Sequence, residues 1–189
     1  QRKSIAESFA FDGVHHVFDQ HNAPVMMLKF ANNDRSKLCC ASLDGSLSIC
    51  DVISIPPKVI VLLEGHKKGV TSLDWSISND LIVSSSLDAT IRLWNVLDIE
   101  NNPTCLRVVN DQQQAEVLCC GFIPINNNLV VAGNSQGLVQ ILNISTARKG
   151  KAAKINRLQG HATPTIALSF NFDESLLASA DYQGLIILW

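Results

Sequence analysis

The chain has few charged residues, few aromatic residues and no long apolar run. Of its 189 residues, 17% are charged and 6% are aromatic, and the formal net charge is -2. This balance gives no reason to expect nucleic acid or an anionic membrane surface as a partner. No apolar run approaches the roughly 18 residues that span a bilayer. No charged-then-apolar leader precedes the rest of the sequence, so we expect neither a membrane span nor secretion.

Motifs that carry catalytic or metal chemistry are also missing. The six cysteines include no Cys-x-x-Cys pair, and neighbours in the doublets Cys39-Cys40 and Cys119-Cys120 would point to opposite faces of a strand. We therefore expect small, buried, free thiols in a reducing compartment, the cytosol or the nucleus. His15-His16 has no further ligands at a suitable spacing, which favours a strand over a metal site. The sequence predicts no catalytic residue, no metal and no cofactor.

What the sequence does contain is an internal repeat. Four aromatic markers, 45, 47 and 48 residues apart, define it: Phe30, Trp75, Phe122 and Phe170. Nine residues before these markers stand, in order, His21, His66, Gln113 and His161. After each marker come a turn, a second apolar run and a third run. Because the runs are short, rich in Val, Ile and Leu, and bounded by turn pairs such as Asp44-Gly45, they predict β-strands.

A fourth strand is predicted in each of the linkers that follow the first three repeats, at Val59–Leu63, Cys105–Val109 and Ile155–Leu158. Four short antiparallel strands per repeat are typical of a β-propeller blade. The predicted fold is therefore all-β, with four blades at about residues 21–64, 65–111, 112–158 and 159–189. The last blade lacks a fourth strand, and we expect the N-terminal segment 1–20 to supply it, through Ile5–Phe11 or Val14–Phe18.

The second and fourth repeats resemble the WD40 family. The residues that match its pattern are Gly65-His66, Ser84, Asp88 and Trp94, and Gly160-His161, Ser179 and Trp189. The resemblance implies a hydrogen-bonded relay of His, Ser, Asp and Trp within a blade. Such buried groups can satisfy one another. A catalytic Ser-His-Asp triad is the alternative, but the group recurs at blade spacing, and Ser84 lies within a strand rather than on an exposed elbow.

The relays are predicted to be unequal. Only the second repeat has all four residues, while the fourth has Gln183 at the Asp position and Asp181 two residues earlier as a substitute. The first repeat retains His21 and Asp44, with Cys40 and Cys50 in place of the hydroxyl and the indole. The third repeat is predicted to have no relay and to depend on apolar packing, since the corresponding residues are Gln113, Ala132, Gln136 and Leu142.

The family resemblance also bears on the size of the ring. WD40 propellers most often have seven blades, so these four are expected to be part of, or shortened from, a larger ring. Stretches such as Glu7–His21 and Phe172–Ser179 resemble one nuclear member of the family beyond the consensus. The third repeat resembles an early blade and the fourth a final blade, so central blades are expected to be missing near Arg148–Lys154. The basic stretch from there to Arg157 is interpreted as a solvated loop, with nuclear import or phosphate contact as the alternative.

These patterns together predict a non-catalytic scaffold that binds other proteins. The resemblance implies the nucleus, with the cytoplasm as the alternative, and association with chromatin or transcription complexes. The alternative function is a substrate receptor of a larger enzyme complex such as a ubiquitin ligase. No nucleic-acid, membrane or small-molecule partner is predicted. Loops before the first strands and turns after the second strands are expected to form the binding face, with apolar members exposed as a shared patch: Asn22, Leu43, Lys67, Lys68, Leu87, Gln114, Ser135, Thr163 and Tyr182.

Overall fold

The structure is a computed structural model, and it describes residues 13–99, 103–124, 126–145, 154–171, 173 and 175–189. Within these residues the chain forms β-strands and turns, with no helix and hence no helix able to cross a membrane. In chain order the strands are β1 Val25–Phe30, β2 Lys37–Ser42, β3 Leu47–Asp51, β4 Lys58–Leu63, β5 Val70–Trp75, β6 Leu81–Ser86, β7 Thr90–Asn95, β8 Thr104–Asn110, β9 Val117–Ile123, β10 Asn126–Asn134, β11 Leu138–Asn143, β12 Lys154–Gln159, β13 Thr165–Phe170, β14 Leu177–Asp181 and β15 Ile186–Leu188.

Consecutive strands pair antiparallel into separate sheets, each of which is one blade. Blade 1 is β1–β4, blade 2 is β5–β8 and blade 3 is β9–β12, while blade 4 is the three-stranded sheet β13–β15. Each strand predicted from the repeat coincides with one of these, and most differ by only one residue at either end. The prediction of an all-β propeller fold with four blades is therefore confirmed.

A register shift occurs at the same place in every blade, where the first strand begins to pair with the second. In blades 1, 2 and 4 one residue of the first strand is skipped, namely Met26, Thr71 and Ile166. In blade 3 the shift lies where Asn134 pairs with Val117, so Leu118 is skipped. Because a bulge of this kind increases local twist, its repetition gives the four sheets one common shape.

The apolar core lies between the sheets rather than within one of them. Leu73 and Trp75 of blade 2 pack against Leu47 and Ile49 of blade 1. Phe122 of blade 3 packs in the same way on the third strand of blade 2, and Phe170 of blade 4 packs on a cluster that joins blades 3 and 4. Three of the four aromatic markers thus pack at the junctions between blades, whereas Phe30 of blade 1 is exposed.

The N-terminal segment does not complete blade 4 through Val14–Phe18. These residues form no strand, and both Val14 and Val17 are exposed. Since no cross-strand partner holds them, this part of the prediction is not met. The other candidate, residues 5–11, lies outside the described residues and stays a prediction, as does the expected junction at residues 148–153.

Left-handed backbone is required in the turn between the second and third strands of each blade. Gly45, Gly137 and Gly184 have φ of +91°, +81° and +87°, and Ala89 takes the position in blade 2 with φ of 62°. The neighbourhoods differ. A Cβ added at Gly137 would lie 2.5 Å from the His161 carbonyl oxygen of the next blade, whereas one added at Gly184 would meet no atom within 4 Å.

We predict that Gly137→Ala is more destabilising than Gly184→Ala. Both substitutions force a side chain into left-handed backbone, at a cost of about 1–2 kcal/mol. Only the first also drives a methyl group into the backbone of blade 4, so it should lower the free energy of unfolding further. Urea denaturation of the two variants measures the difference. Equal decreases in the free energy of unfolding would show that the backbone at the junction between blades 3 and 4 moves to accommodate the methyl group.

Candidate functional site: relays beneath one propeller face

A chain of hydrogen bonds crosses blade 2. Trp94 Nε1 lies 2.9 Å from Ser84 Oγ, which lies 2.8 Å from His66 Nε2, and His66 Nδ1 lies 3.0 Å from Asp88 Oδ2. The indole N–H can only donate and the carboxylate can only accept, so Nδ1 of His66 carries the hydrogen, and in the neutral imidazole Nε2 accepts. The indole donates to Ser84, the Ser84 hydroxyl donates to His66, and Nδ1–H donates to Asp88. The relay therefore connects β6, β7 and the loop before β5.

Burial sets the charge states of this relay. Burial lowers the pKa of His66 below its ordinary 6.5, against the attraction of Asp88. Burial would raise the pKa of Asp88, but hydrogen bonds from the Thr90 hydroxyl, the Lys67 N–H and His66 lower it to about 2. Neutral imidazole therefore faces a carboxylate. Since Ser84 is fully buried, its hydroxyl cannot meet a substrate from solvent, and the arrangement braces the blade.

Blade 4 contains the same chain of bonds. Trp189 Nε1 lies 2.8 Å from Ser179 Oγ, which lies 2.7 Å from His161 Nε2, and His161 Nδ1 lies 3.0 Å from Asp181 Oδ2. The carboxylate comes from the end of β14, not from the following turn where Gln183 stands. All four marked residues occur only in the second repeat, but Asp181 completes the relay of blade 4, as the sequence suggested. Asp181 serves because its other oxygen accepts the N–H groups of that same turn.

Blade 1 also has a relay, built partly from residues that the sequence pattern does not mark. His21 Nδ1 lies 2.9 Å from Asp44 Oδ2, and His21 Nε2 lies 2.8 Å from Ser48 Oγ. The Gln20 side-chain amide donates to Ser48 Oγ at 2.8 Å, as the indole does in blade 2. The sequence suggested that Cys40 takes the place of the hydroxyl, but this is wrong. Ser48, which pairs with Cys40 across β2 and β3, supplies it.

Blade 3 has a polar network in place of the relay, so the prediction that apolar packing alone holds it is wrong. Buried Asp111 accepts the backbone N–H groups of Gln113 at 2.8 Å and Ala115 at 3.0 Å. It also accepts the amides of Asn134, at 3.0 Å, and of Gln140. A carboxylate thus occupies the centre that an imidazole occupies elsewhere. Sequence reasoning missed it because Asp111 precedes the expected histidine position by two residues.

One rule relates the four blades. In each blade, a strand side chain that hydrogen-bonds to the histidine or aspartate of the loop comes from the same cross-strand pair. The pairs are Ser84↔Arg92 in blade 2, Ser179↔Ile187 in blade 4, Cys40↔Ser48 in blade 1 and Ala132↔Gln140 in blade 3. In blades 2 and 4 the second strand carries this group, and in blades 1 and 3 the third strand carries it. The two members of such a pair lie side by side, so either one can reach the centre of its blade.

The cysteines form neither a disulfide nor a metal centre in the described residues. All six are free, and five are buried as predicted, but Cys105 is exposed. Burial raises the pKa of Cys119 and of Cys120 to about 12. No three His, Cys, Asp or Glu side chains converge as metal ligands in the part of the chain that the structure describes.

The predicted face residues lie where the relays hold the loops. One residue in each turn after a second strand donates its backbone N–H to the loop before the first strand of the same blade. These bonds are Leu43 to Pro24 (2.9 Å), Leu87 to Gly69 (3.0 Å), Ser135 to Glu116 (2.8 Å) and Tyr182 to Pro164 (3.0 Å). The relay carboxylates add bonds from the N–H groups of Asn22 and Lys67. Four equivalent turns thus stand on the same end of their sheets.

The face is less apolar than the sequence suggested. Leu43 and Leu87 are half-buried, and a Cβ built on Gly69 would lie 2.6 Å from Leu43 Cδ2, so Leu43 packs on the next blade. Tyr182, by contrast, is 75% exposed. The expected patch of three exposed apolar groups is therefore wrong, since only Tyr182 is fully open. Of the other face residues, those that are exposed are Asn22, Lys67, Lys68 and Gln114, and those that are half-buried are Ser135 and Thr163.

We predict that Ser48→Ala lowers the free energy of unfolding by about 1–3 kcal/mol, because it leaves His21 Nε2 without its partner and leaves the Gln20 amide only its 3.7 Å contact with Cys50 Sγ. Adding Cys40→Ser to this variant should restore at least half of the loss, since the hydroxyl then stands where blade 2 has it. Urea denaturation measures both variants. No recovery in the double variant would contradict the cross-strand rule.

The stability of blade 2 should fall as the pH is lowered. His66 has a folded pKa below the 6.5 of the unfolded chain, so its contribution is complete above about pH 6.5 and is lost as the pH falls. Asp88 adds a second loss between about pH 4 and about pH 2, because folding lowers its pKa from 3.8 to about 2. His66→Gln should be less stable at neutral pH, yet lose less between about pH 7.5 and about pH 5.

Urea midpoints across this range test the prediction, with His15→Gln as the control because His15 is exposed. Equal slopes for the wild type and His66→Gln would show that His66 contributes nothing to the acid sensitivity.

Comparison with known proteins agrees with this architecture. The family model for the WD domain, G-beta repeat, matches residues 57–95 and 152–189. WD repeat-containing protein SL1-17 of Schistosoma mansoni is 30% identical over 79% of this chain and 60% of its own length. Mouse Jouberin is 30% identical over 86% of this chain but only 15% of its own length. Human Pre-mRNA-processing factor 19 is 34% identical over 45% of this chain and 16% of its own length.

The chain thus spans 60% of the Schistosoma protein and about 15% of the other two relatives. Each stretch matched by the family model runs from the fourth strand of one blade through the first three strands of the next, so the two stretches contain the relay residues of blades 2 and 4. Blades 1 and 3 have the same sheets and the same turn geometry, although their central groups differ. Relays, sheet topology and these similarities together identify WD40 repeats in this chain, with the family model matching residues 57–95 and 152–189.

Proposed function

We propose that the chain is a non-catalytic scaffold whose protein partner binds the face formed by the loops before the first strands and the turns after the second strands. WD40-repeat proteins are generally protein-interaction scaffolds. The observation that carries the proposal is the set of four equivalent backbone bonds, from Leu43, Leu87, Ser135 and Tyr182, which hold this face in one geometry. Loops that are rigid before binding lose little entropy when a partner docks.

The side chains on this face suit protein recognition. Tyr182 combines a large apolar ring with a hydroxyl, and tyrosine is enriched among residues that dominate binding energy. Lys67 and Lys68 are exposed on the loop before β5, and the Lys67 N–H is held by Asp88 at 2.9 Å. A partner with an apolar pocket for the tyrosine and acidic groups for the lysines would complement them.

We place this activity in the nucleus, with a role in chromatin or transcription complexes. The support is a resemblance of Glu7–His21, Ser84–Thr90 and Phe172–Ser179 to the nuclear WD repeat-containing protein 13. The free cysteines are consistent with a reducing compartment. The cytoplasm is the alternative location.

We also propose that this chain lacks central blades that its longer relatives have. The alignment with the Schistosoma protein extends over 185 positions while covering 79% of this 189-residue chain. That relative therefore has residues inside the aligned region for which this chain has no counterpart. These residues number about 36 (185 aligned positions less about 149 residues of this chain), which is fewer than the 45–48 of one blade. The proposal of missing central blades therefore rests on the resemblance of the third repeat to an early blade and of the fourth to a final one.

We predict that Tyr182→Asp combined with Lys67→Glu reduces partner capture at least about tenfold. The chain and its variant would be immobilised and exposed to nuclear and cytosolic extracts, with bound proteins quantified by mass spectrometry. Leu106→Asp is the matched control, because Leu106 is exposed on β8 and belongs to no face loop.

The result decides between the proposed roles. Capture of chromatin or transcription proteins that the face variant loses and the control retains is the expected outcome. Recovery of ubiquitin-ligase subunits would instead favour the substrate-receptor alternative. Equal capture by all three chains would rule out this face.

A further inference from the structure

The first strand of blade 1 exposes the side chains that the next two blades bury. Val25, Leu28 and Phe30 are 44%, 59% and 55% exposed. The equivalent residues, counted from the aromatic markers, are at most 9% exposed: Val70, Leu73 and Trp75 in blade 2, and Val117, Cys120 and Phe122 in blade 3. In those blades the side chains pack on the preceding blade. Blade 1 therefore presents one uncovered half of a blade junction.

Blade 4 presents the other half. Ile186 and Leu188 of β15 are 68% and 65% exposed. Aligned by their pairing with the second strand, the equivalent residues of blades 1 and 2 are at most 5% exposed: Leu47, Ile49, Ile91 and Leu93. Those residues pack on the first strand of the following blade. The apolar surface on blade 4 is thus complementary in kind to the surface on blade 1.

The turn of blade 4 leads to the same conclusion. The turn glycines Gly45 and Gly137 lie against backbone carbonyls of the following blade, those of His66 and His161. The equivalent Gly184 has no atom within 4 Å of its added Cβ. Among the described residues, blades 4 and 1 share none of the apolar clusters that fill the other junctions. In the described part of one copy, both ends of the blade series are therefore open.

We infer that a second copy of this chain covers both ends, giving a head-to-tail dimer. The Val25, Leu28 and Phe30 surface of each copy receives Ile186 and Leu188 of the other. Two identical junctions form, each a repetition of the junctions already present within the chain. Two copies supply eight blades, the upper end of the range of about 4–8 found in closed propellers.

A head-to-tail contact that closes after two copies is a symmetric dimer, and it removes exposed apolar patches that a soluble monomer would rarely keep. The inference concerns the ends of the blade series, so it does not depend on the partner face proposed above. The other candidate occupants are further blades from a longer chain and the residues outside the description. Both predict that this 189-residue chain is monomeric.

Sedimentation equilibrium of the whole chain tests the inference. We expect a particle of twice the 20.6 kDa chain mass. Leu28→Asp and Leu188→Asp should each weaken dimerisation at least about tenfold, because either places a charge in both junctions of the dimer. The matched control Leu106→Asp should remain dimeric. All three side chains are exposed in a single copy, and circular dichroism checks that each variant is folded.

Mixing the two end variants tests the head-to-tail geometry. A mixed dimer contains one junction with two charges and one junction with none, so the mixture should dimerise more strongly than either variant alone. If two blade 1 ends or two blade 4 ends paired with each other instead, only one of the two variants would weaken dimerisation. A monomeric wild-type chain at its highest soluble concentration, equal weakening by Leu106→Asp, or no gain on mixing would overturn the proposal.

Discussion

The hydrogen-bonded centre of each blade is the constraint on which the rest of the structure depends. A loop must cross the end of every sheet, and its buried polar groups need partners there. In blade 2 the partner is His66, held between Ser84 and Asp88. In blade 3 it is the carboxylate of Asp111. In both blades, hydrogen bonds connect the loop to a side chain of the third strand, Trp94 through Ser84 in blade 2 and Gln140 in blade 3, and so hold the loop at the end of the sheet.

Because the loops are fixed, the apolar side chains beneath them can pack between blades rather than against their own loops. Trp75 illustrates the coupling: its ring fills the junction with blade 1, and its indole N–H donates to the Lys29 carbonyl oxygen at 3.0 Å. Asp74 connects three blades, accepting from Lys29 of blade 1 and from the Phe122 N–H of blade 3. The relays, the packing between blades and the loops of the face are therefore connected through the same strands.

The strands, the blade count and the marked relays could be predicted because they depend on local pattern: apolar runs, turn pairs and the spacing of His66 and Trp94. Ser48, Gln20 and Asp111 could not be found in this way, because their roles depend on which residue lies across a strand or on a loop. The register would have found Ser48, since it pairs with Cys40. The exposure of Leu43 depends on Gly69 of the next blade, a contact between repeats that no single repeat encodes.

The exchange of the central group between strands has a consequence for how such chains change over time. Cys40 and Ser48 form one cross-strand pair, as do Ser84 and Arg92, so a blade could carry a polar residue at both positions at once. A lineage could pass through that intermediate and then lose either residue without ever leaving a buried imidazole unpaired. Repeats that drift by this route retain their architecture while they lose their signature. A count of blades made from the signature alone is then a lower bound.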